Sequence, residues 1–482
     1  MQACTRTESD FLGTREVPAE ALYGIHSLRA RENFPDGSPF PLPWYKAMGM
    51  VKLAYFLSTE RFIAAMAEEG LSDKMRQPLP SAEALSALVD VAREMAEGKY
   101  FEHFIVPGIS GGAGTSINLN VCEILANAAL IRMGEQPGRY DLVDPLLHAN
   151  AFQSTNDVVP SALHLAIMAE LKVLEETVNA LRAKVEEKER EFLNILRPGF
   201  TQMQEDVPTS WGKLLGSYSE ALSRDWWRIT RCAERIKVVN LGGGAVGTGL
   251  GVPRFVIMDV IQQLQRLTAL PLTRAEHLPD ATANHDVLAE VHGMLKPMAI
   301  NLEKMASDLR LLASDLAGQG LRIPGVQAGS SIMPGKVNPV IPEFVISASH
   351  QVYANDGLIT RLCAQGTLEL NAYLPVIGQA MLSSMALLTA SASTMANQLI
   401  AGMELAEWAT HGEIRHSPSV TTALIPYIGY HKAGEVARRM KEEEMDVYEA
   451  CLRLGYLSEE QLTEALLPSN LLKLGYSVKD LQ

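Results

Sequence analysis

The sequence predicts a mainly all-α protein built around a bundle of long helices. Between residues 160 and 196, apolar residues recur every three or four positions, which is the repeat of one face of an α-helix. These positions are Leu163, Ile167, Leu171, Leu174, Val178, Leu181 and Val185. Residues 288–312 repeat the pattern around Pro297, and this proline predicts a kink. A composition with 47% hydrophobic but only 6% aromatic residues is typical of a helical globular chain.

The length of these helices predicts that copies of the chain assemble. At 1.5 Å per residue the first helix would be about 55 Å long. Its apolar seam is narrow and Glu, Lys and Arg occupy its other faces, so other long helices must cover the seam. Two further helical stretches, at about 342–363 and 371–403, complete the region. Helices too long for one compact domain indicate a bundle shared within a homo-oligomer.

These patterns divide the chain into three predicted domains. Residues 1–143 have the pattern of helices joined by irregular loops, which predicts an N-terminal, mostly helical domain. Residues 144–403 contain the long helices of a central bundle domain. Residues 404–482 have the pattern of a small C-terminal helical domain that ends in a charged amphipathic segment.

Charge and cysteine content limit the partners and the compartment. The formal net charge of −14 gives no electrostatic reason to bind nucleic acid or an anionic membrane, and neither partner is expected. The five cysteines are odd in number and scattered, with no C-x-x-C pair, which predicts reduced thiols in the cytoplasm. The first residues carry charges where a signal peptide needs an apolar core, so export is not expected.

One segment is long and apolar enough to be considered as a membrane span. Residues 370–403 contain no charged residue, and a spanning helix needs about 20 apolar residues. The segment is nevertheless interrupted by Asn371, Pro375 and Gln379, and no cluster of Lys or Arg flanks it. These features favour a buried helix at the centre of the core.

Two patterns that are typical of cofactor or metal sites are incomplete. "LGGGAVGTGLG" at 241–251 contains G-x-G-x-x-G, but a dinucleotide site needs an acidic residue about twenty positions later, and Asp259 comes too early. His411 and His416 are five residues apart, off the spacing of metal ligands on one helix face. We therefore predict a tight loop between helices at 241–251, and no metal or cofactor.

Two stretches have the chemistry of a carboxylate-binding site. "GGAGTSINLN" at 111–120 is a glycine-rich turn followed by small donors, and "QSTND" at 153–157 places similar donors just before the long helix. These donors are Thr115, Ser116, Asn118, Ser154, Thr155 and Asn156. Backbone amides and hydroxyls at the start of a helix hold an anion without a full positive charge. For either stretch alone, helix capping is an equally good explanation.

A third stretch, "AGSSIMPGKVNP" at 328–339, nearly matches a phosphate-binding loop. Five residues separate Gly329 from Gly335, where the phosphate loop has four, and Val337 replaces the hydroxyl that would hold magnesium. The stretch still combines two serines, a flexible turn, a lysine and an asparagine. Together with the two donor clusters, it predicts a convergent anion site.

These motifs resemble those of a known family of enzymes. "GSSIMPGKVNPVIPE" at 329–343 resembles the signature of the aspartase/fumarase superfamily, and the donor stretches and "GGGAVGTGLG" resemble further family blocks in the family's order. The likeness runs from residues 10–34 to residues 422–430. It implies a three-domain subunit with a long central helical bundle, a homotetramer, and sites that are each built from three subunits.

Within the superfamily, the details resemble aspartases more than fumarases. "LGTREVP" near the N-terminus and "LELNAYLPVIGQAM" at 368–381 are similar to aspartases, and Gln202 replaces a histidine that fumarases use. The resemblance implies a small dicarboxylate or amino-acid substrate and reversible removal of ammonia from L-aspartate to give fumarate. The alternatives are a lyase for a substituted aspartate, then a fumarate hydratase, and a helical scaffold without turnover.

The resemblance also implies a role for each matching residue. Ser330 matches the family's catalytic base on a mobile loop, and Ser331 would supply further donors. Lys336 and Asn338 match the residues that hold one carboxylate of the substrate. The residues matching the donors around the other carboxylate are Thr115, Ser154, Thr155 and Asn156.

Three further residues complete the implied site. Thr201 and Gln202, in "GFTQMQED" at 199–206, would face the amino group that leaves. Glu343 matches an acid that in fumarases partners the histidine, and Gln202 now takes the position of that histidine.

Several positions near the implied site depart from the family pattern. Phe200 replaces an arginine, Phe152 replaces a small serine, and "ASDLAGQG" at 313–320 replaces a Gly-Pro-Arg segment. The loss of two arginines and the gain of two phenylalanines predict a less cationic and more apolar surrounding for the leaving amine.

Overall fold

The structure is a computed structural model that describes residues 4–318, 320–410 and 413–477. His411, from the histidine pair considered above, and Gln319, from the segment at 313–320, lie outside the described residues.

Helices dominate the described part of the chain, which confirms the predicted mainly all-α class. The α-helices are α1 Ile25–Asn33, α2 Leu42–Glu68, α3 Ala82–Glu97, α4 Thr115–Arg132, α5 Thr155–Glu191, α6 Trp211–Ile236, α7 Arg254–Thr268, α8 Leu278–Ala283, α9 Asp286–Leu312, α10 Val340–Cys363, α11 Leu374–Thr394, α12 Glu407–Thr410, α13 Ile425–Ile428, α14 Tyr430–Glu443, α15 Val447–Leu454, α16 Glu459–Ala465 and α17 Pro468–Leu471. A π-helical segment, Met395–Ile400, continues α11.

The strands form short two-stranded pairs. They are β1 Thr5–Asp10, β2 Gly13–Pro18, β3 Leu196–Thr201, β4 Gln204–Ser210, β5 Val238–Val239, β6 Thr273–Arg274, β7 Leu321–Arg322 and β8 Glu404–Leu405. The pairs β1–β2, β3–β4 and β7–β8 are antiparallel, and β5–β6 is parallel. Pairs this small can position loops, but the apolar cores have to come from helix packing.

The chain folds into two compact units, each drawn from three separate stretches. The first unit is drawn from Met1–Leu174, Arg228–Lys296 and Gln351–Leu387, and the second from Glu175–Trp227, Pro297–His350 and Leu388–Gln482. The division of the sequence into domains 1–143, 144–403 and 404–482 stays a prediction.

Helix α2 organises the core of the first unit. It packs on α3 and α7, and its buried side chains include Trp44, Tyr45 and Phe56. A Cβ atom at Gly49 would lie 2.6 Å from the backbone nitrogen of Ala96 in α3. Glycine at this position therefore lets the two helices approach closely.

The second unit has an apolar cluster of its own near the C-terminus. Val436 and Met440 of α14 are buried together with Val447 and Cys451 of α15 and Leu462 of α16. Their spacing of three or four residues along each helix gives each helix one apolar face, and the three faces bury one another.

The long helix α5 begins five residues before the predicted start at residue 160. The Ser154 hydroxyl oxygen accepts from the backbone N–H of Asn156 at 3.2 Å, and the Asp157 carboxylate accepts from the backbone N–H of Ser154 at 3.1 Å. These bonds cap the first turn, so the helix starts at Thr155 and Pro160 lies inside it.

The apolar segment at 370–403 forms α11 and its π-helical continuation. By length and composition alone, Leu374–Ile400 could cross a membrane. Its most apolar window is 61% buried within the structure, as in the core helix that the sequence favours.

Candidate active site

The glycine turn before α4 places Thr115 at the first position of that helix. Gly112 and Gly114 have φ angles of 80° and 90°, a region that side chains disfavour. A Cβ atom at Gly114 would also lie 2.9 Å from Cγ1 of Val159. Thr115 is exposed at the helix start, where the helix dipole favours an anion.

The start of α5 carries the second donor group. Ser154, Thr155 and Asn156 are half-buried there. The Asn156 amide donates to the backbone carbonyl oxygen of Ala245 at 2.7 Å, which holds its orientation. Like Thr115, these side chains lie in the first unit, at the N-terminal end of a helix.

Asn118 joins the two helix starts. Its side chain is buried, and its amide donates to Oγ1 of Thr155 at 3.3 Å and to Oδ1 of Asn150 at 3.0 Å. Thr115 lies one turn before Asn118 on the same side of α4. The bond from Asn118 thus links α4, which begins with Thr115, to the start of α5. Asn118 itself faces inward and supports the cluster, whereas the sequence suggested it as a donor at the site.

Two buried ionisable side chains, Lys52 and Asp157, lie beneath this donor cluster. Nζ of Lys52 donates to Asn150 at 3.0 Å and to Sγ of Cys122 at 3.1 Å, and burial lowers the pKa of Lys52. Asp157 is also fully buried, and burial raises its pKa to about 7 even though nearby donors lower it. Because Asp157 accepts from the backbone of Ser154, its carboxylate fixes the start of α5.

The glycine-rich stretch at 241–251 forms a tight loop on this cluster, as the sequence predicts. The backbone N–H of Gly244 donates to Asp157 at 3.0 Å, and that of Gly242 donates to the Tyr55 hydroxyl at 3.0 Å. A Cβ atom at Gly247 would lie 2.3 Å from the Pro279 backbone, so close packing requires glycine there. The loop therefore supports the donor cluster with its backbone.

Sequence reasoning missed most of this supporting layer. The residues are Lys52, Tyr55, Asn150 and Asp157. A single lysine in the apolar run "AMGMVKLAYF" was the available signal, because a buried lysine needs partners. The other residues have no local pattern that separates them from ordinary helix and loop residues.

The Ser330 loop lies in the second unit and is closed at its base. The backbone N–H of Gly329 donates to the carbonyl oxygen of Lys336 at 2.8 Å, and the Asn338 amide donates to the carbonyl oxygen of Gly329 at 2.8 Å. A Cβ atom at Gly329 would lie 2.8 Å from that Lys336 oxygen. The closure thus depends on glycine and places Asn338 directly beside the residue before Ser330.

Within this loop, the Ser330 hydroxyl oxygen accepts two backbone hydrogen bonds. Oγ accepts from the N–H of Met333 at 2.9 Å and from the N–H of Ile332 at 3.2 Å. Hydrogen bonds to an oxygen favour its charged form, so this arrangement stabilises a serine alkoxide. Ser331 and Lys336 are exposed on the same loop.

A cavity of about 560 Å³ opens beside the end of the loop. Lys336, Asn338 and Glu343 line it, together with Arg310 and Arg322, whereas Ser330 is not among its lining residues. Arg310 pairs with Glu343 at 3.4 Å. The lining also includes Asp315, so three cations face two carboxylates and the cavity keeps a net charge of about +1, which favours an anionic ligand. Sequence reasoning missed the two arginines.

Thr201 and Gln202 lie at the tip of the β3–β4 hairpin in the second unit. Gln202 and Met203 have φ angles of 51° and 62°, as the two central residues of a type I′ turn require. Thr201 pairs with Gln204 across the hairpin, and its hydroxyl donates to Asp206 at 2.9 Å. Both predicted residues are exposed.

The two phenylalanines that depart from the family pattern have different surroundings. Phe152 is buried in the first unit, with its ring edge against Phe62 at a centroid distance of 5.6 Å. Phe200 is 51% exposed on the hairpin of the second unit, with its ring centroid 5.6 Å from the Arg197 guanidinium carbon. Phe152 therefore contributes to packing, and only Phe200 presents an apolar surface outward.

Family models match most of the chain. A model described as Lyase matches residues 13–354, and a model described as Fumarase C C-terminus matches residues 420–473. Among solved structures, one described as fumarate lyase:delta crystallin from Brucella melitensis bound to cobalt has a TM-score of 0.88 and 34% identity, covering 96% of this chain and 99% of that chain. A class II fumarase from Schistosoma mansoni has a TM-score of 0.85 and 28% identity, with coverages of 96% and 98%.

Curated relatives are similar over nearly the whole chain. An aspartate ammonia-lyase from Bacillus sp is 38% identical over 471 residues, which are 97% of this chain and 97% of the relative. An aspartate ammonia-lyase from Escherichia coli (strain K12) is 38% identical over 479 residues, with coverages of 98% and 97%. Since both the family models and these relatives extend over the loops and helix starts described above, the chain belongs to the lyase family known as the aspartase/fumarase superfamily.

Proposed function

We propose that the protein is an aspartate ammonia-lyase that removes ammonia from L-aspartate to give fumarate in a reversible anti-elimination. The observation that carries the proposal is the Ser330 oxygen, held by two backbone N–H groups on the loop that also carries Lys336 and Asn338. Such a serine is prepared to act as a base beside residues suited to a carboxylate. The likeness to aspartate ammonia-lyases supports the same reaction.

The first chemical step is removal of a proton by Ser330. As an alkoxide, Ser330 takes the proton from the carbon beside one carboxylate and becomes a neutral hydroxyl. The electron pair of that C–H bond moves into the carboxylate, which becomes a dianionic aci-carboxylate. Amide and hydroxyl donors aimed at the position where charge develops stabilise such a species most effectively. We assign this role to Thr115, Ser154, Thr155 and Asn156.

The second step is departure of the amine. The electron pair returns from the aci-carboxylate to form the carbon–carbon double bond, and the ammonium group leaves as ammonia with the electrons of the C–N bond. Thr201 and Gln202, exposed at the hairpin tip, are the proposed contacts of that group. Glu343, paired with Arg310, is assigned to charge balance beside Lys336.

Binding of the second carboxylate is assigned to the loop that carries the base. Lys336 supplies a full positive charge and Asn338 supplies a directed amide, which together fix position and orientation. The Ser330 loop is largely exposed, so closing it over the substrate would exclude water from a strong base. The same segment would thereby bind the substrate and deliver the base.

We further propose that the enzyme is a cytoplasmic homotetramer whose sites each combine three subunits. The family resemblance supports the assembly, and the five cysteines, none in a disulfide, support a reducing compartment. Mixing two inactive variants, Ser330→Ala and Thr115→Val, tests the shared site. If the site is shared, the hybrid assemblies regain part of the activity, because some sites receive neither substitution. Persistent inactivity of well-mixed hybrids would contradict it.

The activity is tested directly by measuring fumarate. The purified protein is incubated with L-aspartate and fumarate formation is followed by its ultraviolet absorbance. The reverse reaction is then run with fumarate and ammonia, methylamine, hydroxylamine or larger amines, and dehydration is tested with malate. We expect the highest kcat/KM with L-aspartate. Turnover of malate alone, or no reaction with any of these compounds, would refute the assignment.

A further inference from the structure

An arginine is buried beneath the hairpin of the second unit. Arg197, on β3, is only 8% exposed. Its guanidinium carbon lies 4.8 Å from the ring centroid of Trp211 and 5.6 Å from that of Phe200. Within the described ranges of the chain, no hydrogen bond or ion pair engages it. Buried arginines are almost always paired, so this cation is prepared for a partner from outside the chain.

The arginine opens onto two adjoining cavities. The larger has a volume of about 550 Å³, and its walls are mostly apolar, with Phe200, Met203, Leu312 and Leu316 among them. The smaller, of about 180 Å³, is lined by Arg197 and Phe200 and by aromatic rings. Such dimensions match cavities that hold small organic ligands.

The acidic groups beside these cavities already have partners. The Asp308 carboxylate accepts from the Tyr218 hydroxyl at 2.7 Å and pairs with Lys304. The Glu205 carboxylate accepts from the Ser417 hydroxyl at 2.6 Å. Glu205, whose partner is a neutral hydroxyl, keeps its negative charge in the smaller cavity. In the larger cavity Lys304 balances Asp308, so the Arg197 charge is the one that a ligand there would balance.

A second buried donor adjoins the smaller cavity. The indole N–H of Trp211 is buried, and within the part of the chain that the structure describes it has no hydrogen-bond acceptor. An unpaired buried donor destabilises the folded chain. The Trp211 side chain lines this cavity, with its N–H closed off beneath the surface of the wall.

We propose that the space formed by these two cavities at Arg197 binds a small carboxylate with an apolar body, at a site separate from the aspartate site. A guanidinium that packs on aromatic rings can direct its edge toward a ligand. Two parallel N–H groups on that edge match a carboxylate. The apolar walls would cover an aryl or alkyl group of the ligand. Bound there, the ligand would lie under the hairpin whose tip carries Thr201 and Gln202.

The separation from the aspartate site follows from the lining residues. The cavity at Arg197 shares no lining residue with the cavity at Lys336 and Asn338. Phe200 and Met203 line the larger of the Arg197 cavities, whereas Thr201 and Gln202 between them do not. A ligand at Arg197 and a dicarboxylate at Lys336 should therefore bind together.

Calorimetric titration of the full-length protein with 4-phenylbutanoate tests the site. We expect saturable binding that excess fumarate does not displace. Acetate, which lacks the apolar body, should bind at least tenfold more weakly, and 4-phenylbutylamine, which carries the opposite charge, should not bind. Absence of binding, displacement by fumarate, or equal binding of the amine would overturn the proposal. A second copy of the chain that filled the cavity would also prevent binding, and that result would equally overturn the proposal.

Variants assign the binding to Arg197. Arg197→Met should weaken 4-phenylbutanoate binding at least tenfold, while Arg224→Met, at an exposed arginine of the same unit, should not change it. Because Arg197 packs on two rings, Phe200→Ala serves as a second variant that keeps the charge and should weaken binding several-fold. Unchanged binding in a folded Arg197→Met or in Phe200→Ala would overturn the assignment, as would equal loss in Lys336→Met.

Discussion

The donor cluster of the first unit and the Ser330 loop of the second unit are constructed in opposite ways. The donor cluster rests on buried side chains that fix it from below, among them Lys52, Asn118 and Asp157. The Ser330 loop is mostly exposed and is held at its base by bonds among Gly329, Lys336 and Asn338. Donors that must already be oriented when charge develops require a rigid support. A base that must reach a substrate and be covered afterwards requires a segment that can move.

The two regions also differ in the free-energy cost of burying their polar groups. Burying Lys52 and Asp157 is costly, and the surrounding hydrogen bonds offset that cost only in the folded structure. The loop avoids such costs because its polar groups stay in water. Changes in the cluster should therefore alter stability and activity together, whereas changes in the loop should alter activity alone.

The largest effect is expected for Ser330→Ala. Loss of the base should lower kcat for L-aspartate by about three orders of magnitude, in the range usual for removal of a general base. The melting temperature should stay unchanged, because only the two bonds to Ser330 within an exposed loop are lost. Ser331→Ala is the matched control and should retain most of kcat. Full activity of Ser330→Ala would show that another group is the base.

Lys336→Met should follow in size. Loss of a charge-assisted contact with a carboxylate costs about 1.5–3 kcal/mol, which corresponds to a fall in kcat/KM of about 10- to 150-fold. Steady-state kinetics should show the loss mainly in KM for L-aspartate. Lys74→Met, at an exposed lysine of the first unit, should leave the kinetics unchanged. A normal KM for Lys336→Met would remove this lysine from the proposed site.

Asn118→Ala tests whether the donor cluster needs its support. Loss of the bonds to Thr155 and Asn150 should lower stability by about 1–3 kcal/mol and kcat/KM by about tenfold. Asn120→Ala is the matched control, since Asn120 is also buried in α4 but holds the backbone at Ile105. Both variants should lose stability, and only Asn118→Ala should lose activity. Equal activity in the two would contradict a supporting role at the site.

A further prediction concerns the pH dependence of stability through Asp157. Burial raises its pKa in the folded protein to about 7, from about 4 in the unfolded chain. Between these values the folded state binds the extra proton, so the Asp157 contribution lowers stability as pH rises from about 4 to about 7 and is constant above. The slope is at most about 1.4 kcal/mol per pH unit.

The Asp157→Asn variant isolates this contribution. The difference in free energy of unfolding between the native protein and the variant, measured by denaturant titration at several pH values, should change across that interval. Other titrating groups cancel in the difference. A difference that stays constant from pH 4 to pH 8 would mean that folding does not raise the Asp157 pKa.

The helices were largely predictable from the chain because their signals are local. The apolar seam at 288–312 corresponds to α9, Asp286–Leu312, and the stretch predicted near 342–363 corresponds to α10, Val340–Cys363. The start of α5 was predicted five residues late, since it depends on the bonds of Ser154 with Asn156 and Asp157 and not on apolar periodicity. The compact units were not visible in the sequence, because each combines three distant stretches.

By itself the sequence determined the helical class, the glycines that allow close turns and the motifs that carry the proposed chemistry. These depend on backbone preferences and on residue types within a few positions of one another. Only the tertiary structure decided that Asn118 supports Thr155 and that Lys52 and Asp157 lie beneath the donors. It also decided that Arg197 is buried against aromatic rings, with no hydrogen bond or ion pair among the described residues. Such properties arise from burial and from contacts between distant segments, and a local pattern carries no record of them.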